Sequence, residues 1–290
     1  MRRIIAVMIA LFSSLSLSHA KDKFTYYMMT TSNSPSIKIT EPLITRLRES
    51  YDIDWKQNVG CAAKTSVDKE SQPIFVELVT GQYWMSLYEK NTNCIIDMSK
   101  IRWIMVVDTA YKICVKADST VQSWKDLVEK KDQRFAYTTG TVGKPLIESI
   151  NRDLSTDFRP VILTNSNAAL TALLARDIEV AFLNVLAADP QVSQGNIRCL
   201  ATTEKNKENS LSQLSLKTNK LLSEFVLGYA IGVKNVTEEQ FSNISREMRS
   251  LLPSVTMPGN VTVTSIVSMP EKDLRNKVND ATINLYEATK

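Results

Sequence analysis

Short apolar runs alternate along this chain with stretches in which apolar residues recur every three or four positions, a pattern that predicts parallel α/β units. Phe24 to Met29 reads as a buried strand and ends in Thr30-Thr31-Ser32-Asn33-Ser34-Pro35-Ser36. Ile37, Ile39, Leu43, Ile44 and Leu47 then take up helical spacing. A second strand is expected from Asp52 to near Cys61, and a third over 73–79, closing on Thr80-Gly81. Ile101 to Val107 and Tyr111 to Val115 are strand-like, and Ser123 to Leu127 starts a helix.

From there a second unit unfolds along the chain. The strand Arg134-Phe135-Ala136-Tyr137 runs into Thr138-Thr139-Gly140-Thr141-Val142-Gly143-Lys144, and Pro145 near a helix start is followed by Leu146, Ile147 and Ile150. A strand over Phe158 to Leu163, a cap at Asn165-Ser166-Asn167 and a helix over 168–174 follow. Next come a strand over Glu179 to Asn184, a loop, and a strand over Ile197 to Thr202. Glu204 to Ser210 is charged and polar, the best linker candidate in the chain. Beyond it lie a strand over Phe225 to Val233, a capping box from Thr237 to Gln240, and a last helix from near Pro270 through Leu274, Val278 and Ile283.

The junctions carry the candidate chemistry. A strand that enters a helix through glycine and hydroxyl residues points unpaired N–H groups outward, which suits an anion or a carboxylate. In open α/β sheets ligands sit outside the carboxyl ends of the strands. The candidate ligand contacts are therefore Thr31, Ser32, Asn33, Ser34, Thr80 and Gly81 on one side, with Thr139, Gly140, Thr141, Gly143, Asn165 and Asn184 on the other. Ordinary helix capping and tight β-α turns use the same residue types.

Composition narrows the chemistry. Arg2 and Arg3, the apolar run Ile4 to Phe12 and Ser18-His19-Ala20 make a secretory signal, with cleavage expected after Ala20. The single histidine, His19, lies inside it, so the mature chain can build no Ser-His-Asp or Cys-His constellation and no HExxH zinc helix. A Ser-Lys or carboxylate pair is all that an enzyme would have left, and no spacing singles one out. Cleavage lowers the formal charge from +4 to +2, since both arginines go and no acidic residue goes with them. That near-neutral balance argues against nucleic acid. Cys61, Cys94, Cys114 and Cys199 allow three pairings in an exported chain. Position favours 61–94 with 114–199; buried free thiols are the alternative. Metal ligation is disfavoured by spacing, and no cofactor is expected.

Taken in order, these segments resemble the solute receptors of tripartite tricarboxylate transport systems (TctC/Bug-type). The similarity is clearest from Tyr111 to Thr203, through Val121-Gln122-Ser123-Trp124-Lys125-Asp126-Leu127, the Gly140-Thr141-Val142-Gly143 turn, Asn165-Ser166-Asn167-Ala168-Ala169 and Leu173-Leu174-Ala175-Arg176-Asp177-Ile178-Glu179-Val180. Gly195 to Thr203 is similar to the family's return strand. The departures fall at ligand-facing loops. Where the family has a glycine-rich first loop this chain has Thr31-Ser32-Asn33-Ser34-Pro35, and Gly60-Cys61-Ala62-Ala63 is what remains of its second.

The resemblance implies a type II periplasmic-binding-protein fold, two α/β lobes joined by paired hinge strands with the ligand cleft between them. Residues 1–20 would be the signal peptide, 21–110 and 204–290 the first lobe with its C-terminal helix, and 111–203 the second. Tyr111 to Val115 and Ile197 to Thr202 would be the hinge crossings, with Cys114 and Cys199 as neighbours whose bridge would limit hinge motion. It implies a periplasmic, non-catalytic, monomeric receptor that captures a small organic anion and delivers it to membrane transporter subunits. The alternatives are a binding protein that signals to a membrane partner, or a secreted histidine-independent enzyme. A bulky residue at Gly140 or Gly143 is expected to abolish binding and leave the fold intact.

Overall fold

In the computed structural model, residues 21–29, 37–57, 61–79, 81, 95–139, 141–204, 207–211, 227–254, 261–265 and 268–288 are described. The strands are β1 (Lys23–Met28), β2 (Asp52–Gln57), β3 (Ile74–Val79), β4 (Arg102–Thr109), β5 (Tyr111–Lys116), β6 (Arg134–Thr138), β7 (Arg159–Leu163), β8 (Val180–Asn184), β9 (Ile197–Thr202), β10 (Leu227–Lys234) and β11 (Val261–Ser265). The helices are α1 (Ile37–Ser50), α2 (Cys61–Lys69), α3 (Trp124–Lys130), α4 (Gly143–Leu154), α5 (Ser166–Ala175), α6 (Val185–Ser193), α7 (Glu238–Leu251) and α8 (Glu271–Ala288).

These strands form two sheets. One has six strands in the order β11-β4-β10-β3-β1-β2, the other five in the order β7-β6-β8-β5-β9. In the first, β1 runs parallel to β2 and β3, and β10 enters antiparallel between β3 and β4. Strands so placed are covered on both faces, which is why Phe24, Tyr26, Phe75 and Trp103 are fully buried. In the second, β6, β7 and β8 are parallel, while β5 runs antiparallel to β8 and to β9.

Helical spacing read from the chain corresponds to the buried faces. Ile39, Leu43, Ile44 and Leu47 of α1 and Leu274 and Val278 of α8 enter the core of the six-stranded sheet. Leu146, Ile147 and Ile150 of α4 cover one face of the other sheet with Phe135 and Phe158, and Ala169 and Leu173 of α5 cover the opposite face. The Thr237–Gln240 capping box is present, and a second, Ser123 with Asp126, starts α3. Buried Lys234 donates to the carbonyl oxygens of Val67 (2.5 Å) and Asp68 (3.4 Å), closing the C-terminal turn of α2.

Three expectations need correction. The segment after Asn184, expected as a loop, is helix α6. Its apolar residues, Val185, Leu186, Ala187 and Ala188, are consecutive and Pro190 lies inside it, so it shows no amphipathic period. Cys61, expected at the end of the second strand, begins α2, and β11, an alternating Val-Thr run, was not anticipated. The strands expected to cross between lobes do pair side by side, but both lie wholly in the five-stranded sheet. The chain passes between sheets at Ala110, one residue earlier.

Cys114 and Cys199 are disulfide-bonded across β5 and β9. Because both strands belong to one sheet, the bridge staples that sheet instead of restraining the crossing. The 61–94 pairing lies outside the described residues.

Candidate ligand-binding site

The register of the strands decides where the site is. Thr109 ends β4, Ala110 follows, and Tyr111 opens β5 opposite Asn184, the last residue of β8. β6 runs parallel to β8, so the carboxyl ends of both point to the same place. On the other side, β1 and β3 are parallel, and β10, antiparallel to both β3 and β4, makes β3 and β4 run the same way. Both sheets thus turn the carboxyl ends of their parallel strands toward the crossing at Ala110, the position where α/β sheets hold ligands.

The crossing is knit by polar groups. The Asn184 amide donates to Thr109 Oγ1 at 2.7 Å, its Oδ1 accepts from Leu186 N–H at 2.9 Å, and its own N–H donates to Ser166 Oγ at 3.0 Å. Val185 N–H donates to the Ala110 carbonyl (3.0 Å), and Thr203 N–H to that of Tyr111 (2.8 Å). Tyr111 N–H donates back to Thr203 Oγ1 (2.9 Å). Val185 and Leu186 also pack into the core of the six-stranded sheet, so the first turn of α6 bridges the two units.

Replacing Asn184 by alanine removes a helix cap and a buried link between the sheets together. Equilibrium unfolding should show a loss of about 2 to 3 kcal/mol, and an unchanged midpoint would contradict the role given to this side chain.

Tyr111 stacks on Phe182 at 4.9 Å and shares hydrogen bonds with the side chains of Asn184 and Tyr229, the latter on β10. Burial pushes its phenol up from 10.0 to about 12. The fold favours the neutral phenol, so its contribution is complete below 10.0 and is lost as the pH rises toward 12. An alkaline titration should show about 2 to 3 kcal/mol of this residue's share disappearing over that window. Tyr111→Phe should remove that component of the pH dependence; an identical profile would count against it.

The sequence-predicted contacts divide by position. Thr139, Thr141, Gly143, Asn165 and Asn184 gather at the carboxyl ends of β6, β7 and β8. Thr139 is exposed, with its N–H and hydroxyl both on the Leu163 carbonyl, at 3.0 and 3.3 Å. Thr141 is buried; its hydroxyl donates to the Thr138 carbonyl (2.8 Å) and accepts from Gly143 N–H (3.3 Å). Asn165 caps α5 through Ala168 N–H at 3.0 Å. The side chains of Thr141, Asn165 and Asn184 are thus engaged in turns and caps.

The N-cap residue of α4, Val142, offers no side-chain cap, so only the Thr141 hydroxyl meets the helix start, at Gly143 N–H, and Pro145 in the first turn brings no N–H. Helix starts in general attract anions. Gly143 is there because a Cβ at its position would lie 2.3 Å from Tyr137 Cβ. Gly81 is buried. Thr31, Ser32, Asn33, Ser34, Thr80 and Gly140 lie outside the described residues.

Sequence reasoning missed Thr109, Tyr111, Ser166 and Thr203, which tie the crossing. They come together only through strand register, and no local motif marks them. Among the described residues, no cluster of three His, Cys, Asp or Glu side chains could hold a metal ion.

Two α/β units joined at a crossing toward which their strand ends turn define the type II periplasmic-binding fold. Among solved structures, the chain is similar to the periplasmic binding protein BugD, with 14% identity, 93% of this chain and 96% of that one covered, and a TM-score of 0.70. It is similar to MatC (Rpa3494) from Rhodopseudomonas palustris with bound malate, with 11% identity, coverage of 93% and 99%, and a TM-score of 0.68. A third is R. palustris Rpa4515 with adipate, with 14% identity, coverage of 94% and 97%, and a TM-score of 0.70. No protein-family model and no curated protein matches the sequence.

Proposed function

We propose that this protein is a periplasmic receptor for a small organic carboxylate, exported by its first twenty residues and serving membrane transporter subunits. The observation that carries this reading is the meeting of both sets of strand carboxyl ends at the Ala110 crossing, with the start of α4 at that end of its sheet. Two of the similar structures hold malate and adipate, each a dicarboxylate. The mature chain's lack of histidine removes most hydrolytic chemistry and supports a receptor over an enzyme.

Residues 21–110 with 204–290 would move as one lobe and 111–203 as the other. A ligand held by both favours the closed form, because only that form makes both sets of contacts. The loops 31–34 and 80–81 would supply donors from the first lobe, and the turn 139–143 those from the second.

A thermal-shift screen of mono-, di- and tricarboxylates, amino acids and neutral solutes tests this. A true ligand at a hundredfold its dissociation constant adds about 2.7 kcal/mol, a rise of roughly 5 to 10 °C for a chain of this size. Stabilisation by neutral solutes alone would overturn the carboxylate assignment, and turnover of any acid would overturn the receptor.

A further inference from the structure

Four buried side chains are linked through the crossing and alternate between the two units. Tyr229, on β10, lies in the core of the six-stranded sheet, while Tyr111, the first residue of β5, lies in the core of the five-stranded sheet. Their side chains share a hydrogen bond, and Tyr111 shares another with Asn184, which stands opposite it in the β5–β8 ladder. Asn184 in turn donates to Thr109 Oγ1, at 2.7 Å, back in the six-stranded sheet. None of the four is more than 5% exposed. The chain of hydrogen bonds thus passes from one unit to the other and returns, shielded from water.

An apolar contact stands beside it. Val185 and Leu186, in the first turn of α6, lie in the core of the six-stranded sheet, whereas Ala188 of the same helix lies in the core of the five-stranded one. α6 therefore links the units at a third place, besides the passage of the chain at Ala110 and its return between β9 and β10.

Two lobes could swing on backbone rotation at their chain crossings alone. Here any swing at the crossing strips buried hydroxyls and an amide of their partners and draws Leu186 out of the core it fills. A buried polar group left unpaired costs more than its hydrogen bond contributes, and the low local dielectric sharpens that cost. Packed contacts of this kind pass between discrete arrangements instead of deforming continuously.

We propose that Tyr229, Tyr111, Asn184 and Thr109, with the first turn of α6, form a latch that holds the two units at the angle seen here. This rests on the two-lobe receptor reading and adds a device that regulates it. The latch sets how many molecules stand at any other angle, and a ligand that prefers another angle binds with an affinity reduced by that fraction.

The test is single-molecule energy transfer on the mature protein without ligand. The dyes are carried by non-canonical residues at exposed Glu41 of α1 and Lys125 of α3, one on each unit. The parent should show one narrow population. Tyr229→Phe and Thr109→Val each remove a hydroxyl and keep the packing, and each should raise the share of molecules at other angles about fivefold. Thr109→Ser, which keeps the hydroxyl, should restore the parent distribution, and Leu186→Ala should broaden it. Unchanged distributions in both hydroxyl variants would overturn the proposal, as would a Thr109→Ser variant that behaves like Thr109→Val. Faster hydrogen exchange spread through β1 to β3 or through β6 and β7 would overturn it too, because the four side chains would then serve the cores and not the angle. If malate, adipate and the other solutes of the screen all leave the parent distribution unmoved while the hydroxyl variants shift it, the receptor reading falls and the latch stands.

Discussion

Replacing Cys114 and Cys199 together by alanine is expected to lower stability by about 4 kcal/mol, the largest effect of any change considered. The two residues are 85 apart in sequence. Joining them removes a long loop's worth of freedom from the unfolded chain, and that entropic term grows with loop length. In the folded state the bridge holds β9, an edge strand paired only with β5 within its sheet, to the body of that sheet. Denaturant unfolding of the double variant beside the oxidised protein gives the number. The loss should fall on the five-stranded unit, so hydrogen exchange should quicken in β5 to β9 before the six-stranded sheet. A midpoint within experimental error of the parent would mean that the staple is superfluous.

Gly143→Val should cost about 3 kcal/mol and reduce ligand affinity with it. The cause is not the backbone conformation of Gly143, for its φ is not positive. It is space: a Cβ there would stand 2.3 Å from Tyr137 Cβ and 2.9 Å from Tyr137 Cγ. The first turn of α4 lies directly on β6, and neither rotamer change nor solvent can relieve a clash between two Cβ atoms. Even alanine must push the helix start off the strand. The sequence-based expectation that a bulky residue here would leave the fold intact is therefore corrected. A double-mutant cycle with Tyr137→Gly checks the cause, since the penalty at position 143 should shrink in that background. Additive effects would place the clash elsewhere.

The elements legible in the chain were those with a repeating pattern. α1, α4 and α8 have apolar residues three or four apart, and Leu43, Ile44 and Leu47, Leu146, Ile147 and Ile150, and Leu274 and Val278 among them are buried. The capping box at Thr237 could be read because it needs only two side chains three positions apart. α6 could not, because its apolar residues bunch in its first turn. That turn packs on the other unit's core through Val185 and Leu186, a contact that no local period encodes.

The candidate site was legible in kind but not in detail. The small and hydroxyl residues read from the second unit do lie at the carboxyl ends of its strands β6, β7 and β8. Yet Thr141, Asn165 and Asn184 use their side chains on turns and caps. A hydroxyl or amide that can meet a ligand can equally meet a backbone N–H, and sequence cannot tell which is nearer.

The sequence by itself determined the α/β class, the order of most strands and helices, the absence of any histidine beyond His19, and the glycine and hydroxyl residues at the turns. These are local properties, set by side-chain period and residue type. Sequence position already favoured the Cys114–Cys199 pair that the structure shows; tertiary structure alone decided which strands are neighbours, and so the position of the crossing at Ala110, the edge position of β9 and the contact that makes Gly143 obligatory. Each depends on register between segments far apart in the chain, where a shift of one residue would turn every side chain to the opposite face.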